Sequence, residues 1–188
     1  MKISVPVVAL AAAVTLSLAF VASRPTRMNP TPTAATAAGT VYDFTVKSIE
    51  GKDVKLSQYK GKKLLIVNTA SQCGFTPQYK ELEELSKKYA GKLVVLGFPS
   101  NSFKQELSSN AEVAAFCQKN YGVTFPLFST APVKGAEAQP LFKFLAEQAK
   151  EEPSWNFCKY LVNEQGQVVK FFPSRVKPSD PELLALVK

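Results

Sequence analysis

Histidine is absent from all 188 residues, and with it go the Ser-His and Cys-His catalytic pairs and the ordinary zinc sites. Catalysis, if there is any, must rest on cysteine or on carboxylates. Cysteine is itself scarce: Cys73, Cys117 and Cys158 are odd in number, widely spaced, and form neither a Cys-x-x-Cys pair nor a metal-ligand pattern. A disulfide scaffold is therefore disfavoured, and reactive thiol chemistry is the better expectation. Nothing calls for a metal or a cofactor. The first forty residues contain no Asp or Glu. No basic run is interleaved with aromatics, so nucleic-acid binding has no support.

What is present suits a folded protein: 46% of residues are apolar, 20% are charged, and 13 Phe and 6 Tyr are available for a core. The length fits one domain with an appendage. Of the net charge of +8, Lys2, Arg24 and Arg27 belong to the first forty residues, which leaves 20 basic against 15 acidic residues beyond them. That residual excess favours anionic surfaces such as phospholipid headgroups, an acidic partner protein, or simply a solvated surface.

Met1-Lys2 precedes an apolar run from Ile3 to about Ala22, the layout of a secretory signal, and one just long enough to span a bilayer uncut at about 20 residues. Residues 1–22 are thus expected to be a signal peptide or an anchor. Residues 23–40 are rich in Ala, Thr and Pro and are expected to form a disordered linker or a transit-like segment. Phe20 follows the small residue Ala19 at the candidate cut, as in bipartite leaders of complex plastids. Entry into the secretory pathway is expected, with plastid, secreted and membrane-anchored destinations all open.

From residue 41 to 188 the pattern is that of one domain. Val41 to Val46 and Val54 to Leu56 suggest an opening hairpin. Leu64 to Val67 is an unbroken apolar run expected of a central strand. Thr76 and Pro77 suggest the N-cap and first position of a helix whose apolar stripe is Tyr79, Leu82, Leu85 and Tyr89, with Gly91 ending it. Leu93 to Phe98 is a second buried strand. Helices are expected near 110–120 and 139–150, a closing hairpin over 160–172, and a last helix capped by Asp180. The sum is an α/β fold with a mixed sheet flanked by helices.

Cys73 falls between the first buried strand and a helix start, on the crevice side where ligands usually bind in α/β sheets. Amide N–H groups and the helix dipole there favour a thiolate, whereas a free cysteine is commonly just a small buried hydrophobe. The polar, turn-like setting Ser71-Gln72-Cys73-Gly74 favours reactivity.

Three ordered segments, 68–76 (NTASQCGFT), 96–103 (LGFPSNSF) and Trp155-Asn156-Phe157, together resemble the glutathione peroxidase family in its cysteine, non-selenium form. The resemblance extends through 116–126 (FCQKNYGVTFP) and 177–182 (KPSDPE), from about Val41 to the end. It implies a thioredoxin-like fold and a catalytic group of Cys, Trp, Asn and Gln. Cys73 matches the peroxidatic residue, Trp155 the tryptophan and Asn156 the asparagine, whose N–H donors steer peroxide without titrating. The glutamine position is held by Ser102, a shorter donor, with a water or Gln105 as substitutes. A resolving cysteine is implied at or next to Cys117, and Cys158 is a second candidate. The short segment between Phe128 and Trp155 implies a monomer of the branch that acts on phospholipid hydroperoxides and is recycled by a thioredoxin-type reductant, in preference to glutathione. The implied activity is reduction of hydrogen peroxide and organic hydroperoxides. The rival is a peroxide sensor or thiol relay with weak turnover.

Overall fold

Leu64 to Val67 have no polar neighbours to alternate with, and all four are fully buried at the centre of β3 (Lys63–Thr69). In the computed structural model, which describes residues 1–2 and 39–188, β3 is an inner strand of a four-stranded sheet of order β4-β3-β5-β6. β4 (Leu93–Pro99) pairs parallel to β3, while β5 (Lys159–Val162) is antiparallel to β3 and to β6 (Val168–Phe172). The mixed sheet follows from the connections: β3 and β4 are joined by α1 (Gln78–Lys88), as a parallel pair requires, whereas a tight turn at Gly166 suffices for β5 and β6. The leader and linker expectations for residues 1–22 and 23–40 lie almost wholly outside the described residues.

Because strand side chains alternate, β3 feeds two cores. Leu65 and Val67 join Tyr79, Leu82, Val113 and Leu183 under α1, α2 (Asn110–Tyr121) and α4 (Pro181–Val187). Leu64 and Ile66 join Phe98, Phe128, Leu141 and Phe142 under α3 (Pro140–Ala149). Each fully buried aliphatic side chain contributes roughly 1.5–3 kcal/mol, so β3 stabilises both layers. Two of the helices start at a side-chain cap. Ser109 and Glu112 form a reciprocal capping box on α2, and Asp180 accepts the Glu182 N–H at the head of α4.

Several boundaries differ from expectation. The opening hairpin is shorter, β1 (Thr45–Lys47) with β2 (Asp53–Lys55). Val41–Asp43 is instead a 3-10 turn, because Thr40 and Asp43 cap each other across it. Val41 donates its N–H to Gly166 O at 3.0 Å and Tyr42 its hydroxyl to Glu164 O at 2.9 Å. The domain therefore begins against the β5–β6 turn. α1 starts at Gln78, not Pro77, and ends at Lys88, with Gly91 (φ 87°) in the turn that follows.

Candidate active site

Three connections converge at the carboxyl ends of β3 and β4 and the entry to β5: residues 70–77, 100–109 and 153–158. The first carries Cys73, which is only 8% exposed. Thr76 is not the helix N-cap, and the reason is local. Its hydroxyl accepts the Cys73 N–H at 3.0 Å and donates to Ala70 O at 2.9 Å, while its own N–H reaches back to Cys73 O at 3.0 Å. The turn is thus closed on both sides of the cysteine. The Phe75 N–H points at Cys73 Sγ, 3.4 Å away, a donor that supports a thiolate.

The second connection holds the first in place. Glu106 Oε1 accepts the Ser71 N–H at 3.0 Å, and Gln105 O accepts the Gln72 N–H at 2.9 Å. Three successive amides of the cysteine loop are therefore paired. Ser102, at the family's glutamine position, is turned elsewhere: its Oγ lies 3.0 Å from Ser100 Oγ and accepts the Val133 N–H at 3.1 Å. No hydrogen bond joins Ser102 to Cys73.

The third connection is anchored by Asn68, a fully buried residue of β3. Its Nδ2 donates to Trp155 O and its Oδ1 accepts the Cys158 N–H, both at 3.0 Å. Between them Phe157 sits at φ 65°, a left-handed conformation that costs a non-glycine residue about 1–2 kcal/mol. Trp155 is 40% exposed and packs on Phe103, with ring centroids 5.2 Å apart. Asn156 is fully buried, donating Nδ2 to Gln105 Oε1 at 3.0 Å. Gln105 thus bridges the cysteine loop and Asn156. The side-chain donors of Trp155 and Asn156 stand at the same end of the sheet as Cys73, but the hydrogen bond recorded on the sulfur is that of Phe75. Asn68, Gln105, Glu106 and Thr76 carry the site's geometry, and sequence reasoning gave none of them that task.

The other two thiols are fully buried. Cys158 Sγ lies 3.5 Å from Ser174 Oγ. Cys117, on α2, shares the apolar cluster that contains Cys73, and burial pushes its thiol up to about 11. Lys159 is also fully buried, its ammonium donating to Gln78 Oε1 and Val176 O. Burial lowers it to about 8.

These two shifts oppose each other in alkali. Between pH 8 and 10.5 the unfolded Lys159 binds more proton than the native one, so this residue makes stability rise with pH. Between pH 9 and 11 the unfolded Cys117 loses a proton that the native thiol keeps, so it makes stability fall. In Lys159→Met the rise is gone, and stability should drop more steeply from pH 8 to 10 than in the parent, by on the order of 1–3 kcal/mol. Urea unfolding at the two pH values checks this. Parallel pH profiles for parent and variant would show that native Lys159 keeps its proton over this range.

Among the described residues no group of three or more His, Cys, Asp or Glu side chains is arranged to hold a metal. The matched family model is Glutathione peroxidase, over residues 41–146. A glutathione peroxidase-like peroxiredoxin of Schizosaccharomyces pombe is 49% identical over 147 residues, covering 75% of this chain and 93% of the relative. A hydroperoxy fatty acid reductase of Synechocystis is 46% identical over 158 residues, covering 78% and 94%. The crystal structure of GPX1 from T. cruzi superposes with a TM-score of 0.62 at 31% identity, covering 79% of this chain and 96% of that one. A thioredoxin family protein from Chlorobium tepidum, 14% identical, shares the fold at a TM-score of 0.59, covering 77% and 93%. The fold is thioredoxin-like, with the cysteine loop at the carboxyl end of β3. The chain belongs to the glutathione peroxidase family, and it is a thiol peroxidase.

Proposed function

We propose that Cys73 is the peroxidatic residue. Its thiolate attacks the terminal oxygen of a hydroperoxide, the O–O bond breaks, and the alkoxide leaves with a proton as alcohol, or as water from hydrogen peroxide. Cys73 is then a sulfenic acid. The observation that carries this assignment is the closed 73–76 turn, which fixes the cysteine backbone and points the Phe75 N–H at the sulfur. The exposed Trp155 donates its indole N–H to the peroxide oxygens, and Asn156, fully buried with Nδ2 given to Gln105 Oε1, holds that segment against the cysteine loop.

Cys117 is the resolving thiol. It condenses with the sulfenic acid, releasing water, and the Cys73–Cys117 disulfide is returned to two thiols by exchange with a thioredoxin-type protein, with glutathione as the alternative. The kinship to a glutathione peroxidase-like peroxiredoxin and to a hydroperoxy fatty acid reductase supports a thioredoxin-type reductant and lipid hydroperoxides among the substrates. The full chain, given hydrogen peroxide or a fatty-acid hydroperoxide, should oxidise NADPH rapidly through thioredoxin and its reductase and slowly through glutathione and its reductase. Equal rates would sink the reductant assignment. One oxidation per chain and no turnover in either system would favour a peroxide sensor, the reading supported by the turning away of Ser102.

A further inference from the structure

The amino end of the central sheet, away from Cys73, carries a charge pattern that the reaction does not use. Three turns meet there. The 59–63 turn leads into β3 and the 88–92 turn into β4, and the two are joined where the Lys63 N–H donates to Lys92 O at 3.0 Å. The 163–166 turn between β5 and β6 is tied to the first of them by the Gly61 N–H on Glu164 O, at 3.3 Å. The end of α4 closes the group, because Lys63 Nζ donates to Leu186 O at 2.8 Å.

These turns and the last residue hold six lysines, Lys60, Lys62, Lys63, Lys88, Lys92 and Lys188, against one acid, Glu164. The rest of residues 41–188 has 14 basic and 14 acidic residues, so the domain's whole positive excess lies at this end. Asp43 and Glu84 are the next acids along the attached segments, and the terminal carboxylate adds one more negative charge. Lys60, Lys88, Lys92 and Lys188 are exposed. Lys60 Nζ stands 6.0 Å from the centre of the Tyr42 ring and Lys88 Nζ 5.7 Å from that of Tyr89. Tyr59 and Tyr89, on the same turns, are half-buried.

Two features select the partner. Every cation in the group is a lysine, a hydrated point charge on a flexible stem, which suits negative charge that is spread out and mobile. Arginine, with its rigid fork, is the residue matched to fixed carboxylates. Half-buried tyrosines among the lysines suit the boundary where headgroups meet water. We propose that the amino end of the sheet is a docking surface for an anionic lipid bilayer, and that the docked domain turns its cysteine loop to the aqueous side. Each lysine adds a small increment, so binding draws on several and weakens in salt. Hydroperoxide and reductant both reach Cys73 from the water. The inference does not depend on the roles assigned to the cysteines.

Partition of the full chain onto vesicles of phosphatidylcholine alone, and of phosphatidylcholine with about 30% phosphatidylserine, tests this. Three proteins are compared: the parent, a Lys60→Gln, Lys92→Gln variant, and a Lys104→Gln, Lys134→Gln variant. The last loses the same charge at the other end of the sheet, where Lys134 lies over the Phe103 ring. The apolar run of residues 3–22, with Lys2, Arg24 and Arg27, is common to all three and cancels in the comparison. At about 0.1 M salt the parent should prefer the anionic vesicles about tenfold or more, and the preference should fade near about 0.5 M. The Lys60, Lys92 variant should lose about 20-fold on anionic vesicles, the Lys104, Lys134 variant almost nothing. The first variant should consume hydrogen peroxide as the parent does, which shows that it is folded. Trp155, the sole tryptophan, belongs to the cysteine end, so bound protein should keep the emission of free protein and escape a quencher carried on the lipid. Equal binding of the parent to both kinds of vesicle would overturn the proposal, as would equal losses in the two variants. Quenching of Trp155 would turn the catalytic end to the bilayer and overturn the orientation. Weaker binding of the Lys60, Lys92 variant to polyglutamate, with no change on vesicles, would give the surface to an acidic protein and remove the lipid assignment.

Discussion

Cys73→Ser should abolish peroxide consumption, with a fall on the order of 10⁴-fold or more, while the thermal midpoint stays within a few degrees of the parent. The expectation follows from what the substitution keeps and removes. A serine oxygen still accepts the Phe75 N–H, and the Thr76 bonds to the Cys73 amide and carbonyl use backbone alone, so the turn survives. A hydroxyl without an adjacent base is almost never ionised at neutral pH, and the chain has no histidine to activate it. Peroxide consumption measured directly, beside a thermal melt, settles the matter. Retained activity would move the chemistry to Cys117 or Cys158, both fully buried.

Asn68→Ala is expected to be the most damaging change outside the sulfur. Asn68 is fully buried, and its two side-chain bonds satisfy Trp155 O and the Cys158 N–H. Truncation orphans both groups and leaves a small void, a loss of about 2–4 kcal/mol in urea unfolding. The loss should reach the site as well. Phe157 is held at φ 65° between those two anchors, and release of the segment lets Trp155 and Asn156 drift, so peroxidase activity per folded molecule should fall about tenfold or more. A variant that unfolds within 0.5 kcal/mol of the parent would show that the 155–158 segment is held by its packing alone.

The contrast between Cys73 and Asn68 measures how far this sequence is legible. Leu64 to Val67 announced a central strand, because four apolar residues in a row suit only a strand covered on both faces. Cys73 was singled out for a related reason: it is a lone polar-flanked thiol where such a strand ends. Asn68 was hidden inside the same strand, where its polarity is an interruption until β5 is placed beside it. Glu106 and Gln105 resemble ordinary loop residues, and their partners lie 35 and 51 positions away in the chain. No local pattern carries such a contact. Thr76 misled for a different reason. Thr-Pro before an apolar stripe is a good helix start, yet a nearer competitor, the Cys73 amide, took its hydroxyl. Ser102 was singled out as a departure from the family's pattern. That its hydroxyl serves Val133 and Ser100 could be seen only once the 131–133 segment was in place.

The attachment of the domain's first residues to the β5–β6 turn bears on orientation. Val41 and Tyr42 bond to Gly166 and Glu164, and Val162, which ends β5, is paired with Leu64 at the amino end of β3. Cys73 lies beyond the other end. The seven residues of β3 span roughly 20 Å at about 3.3 Å per residue. Val41 and Tyr42 are thus held near the amino end of β3, and Cys73 lies past its carboxyl end. A tether attached at Val41 therefore leaves the 70–77 loop, at the opposite end of β3, clear of the attachment.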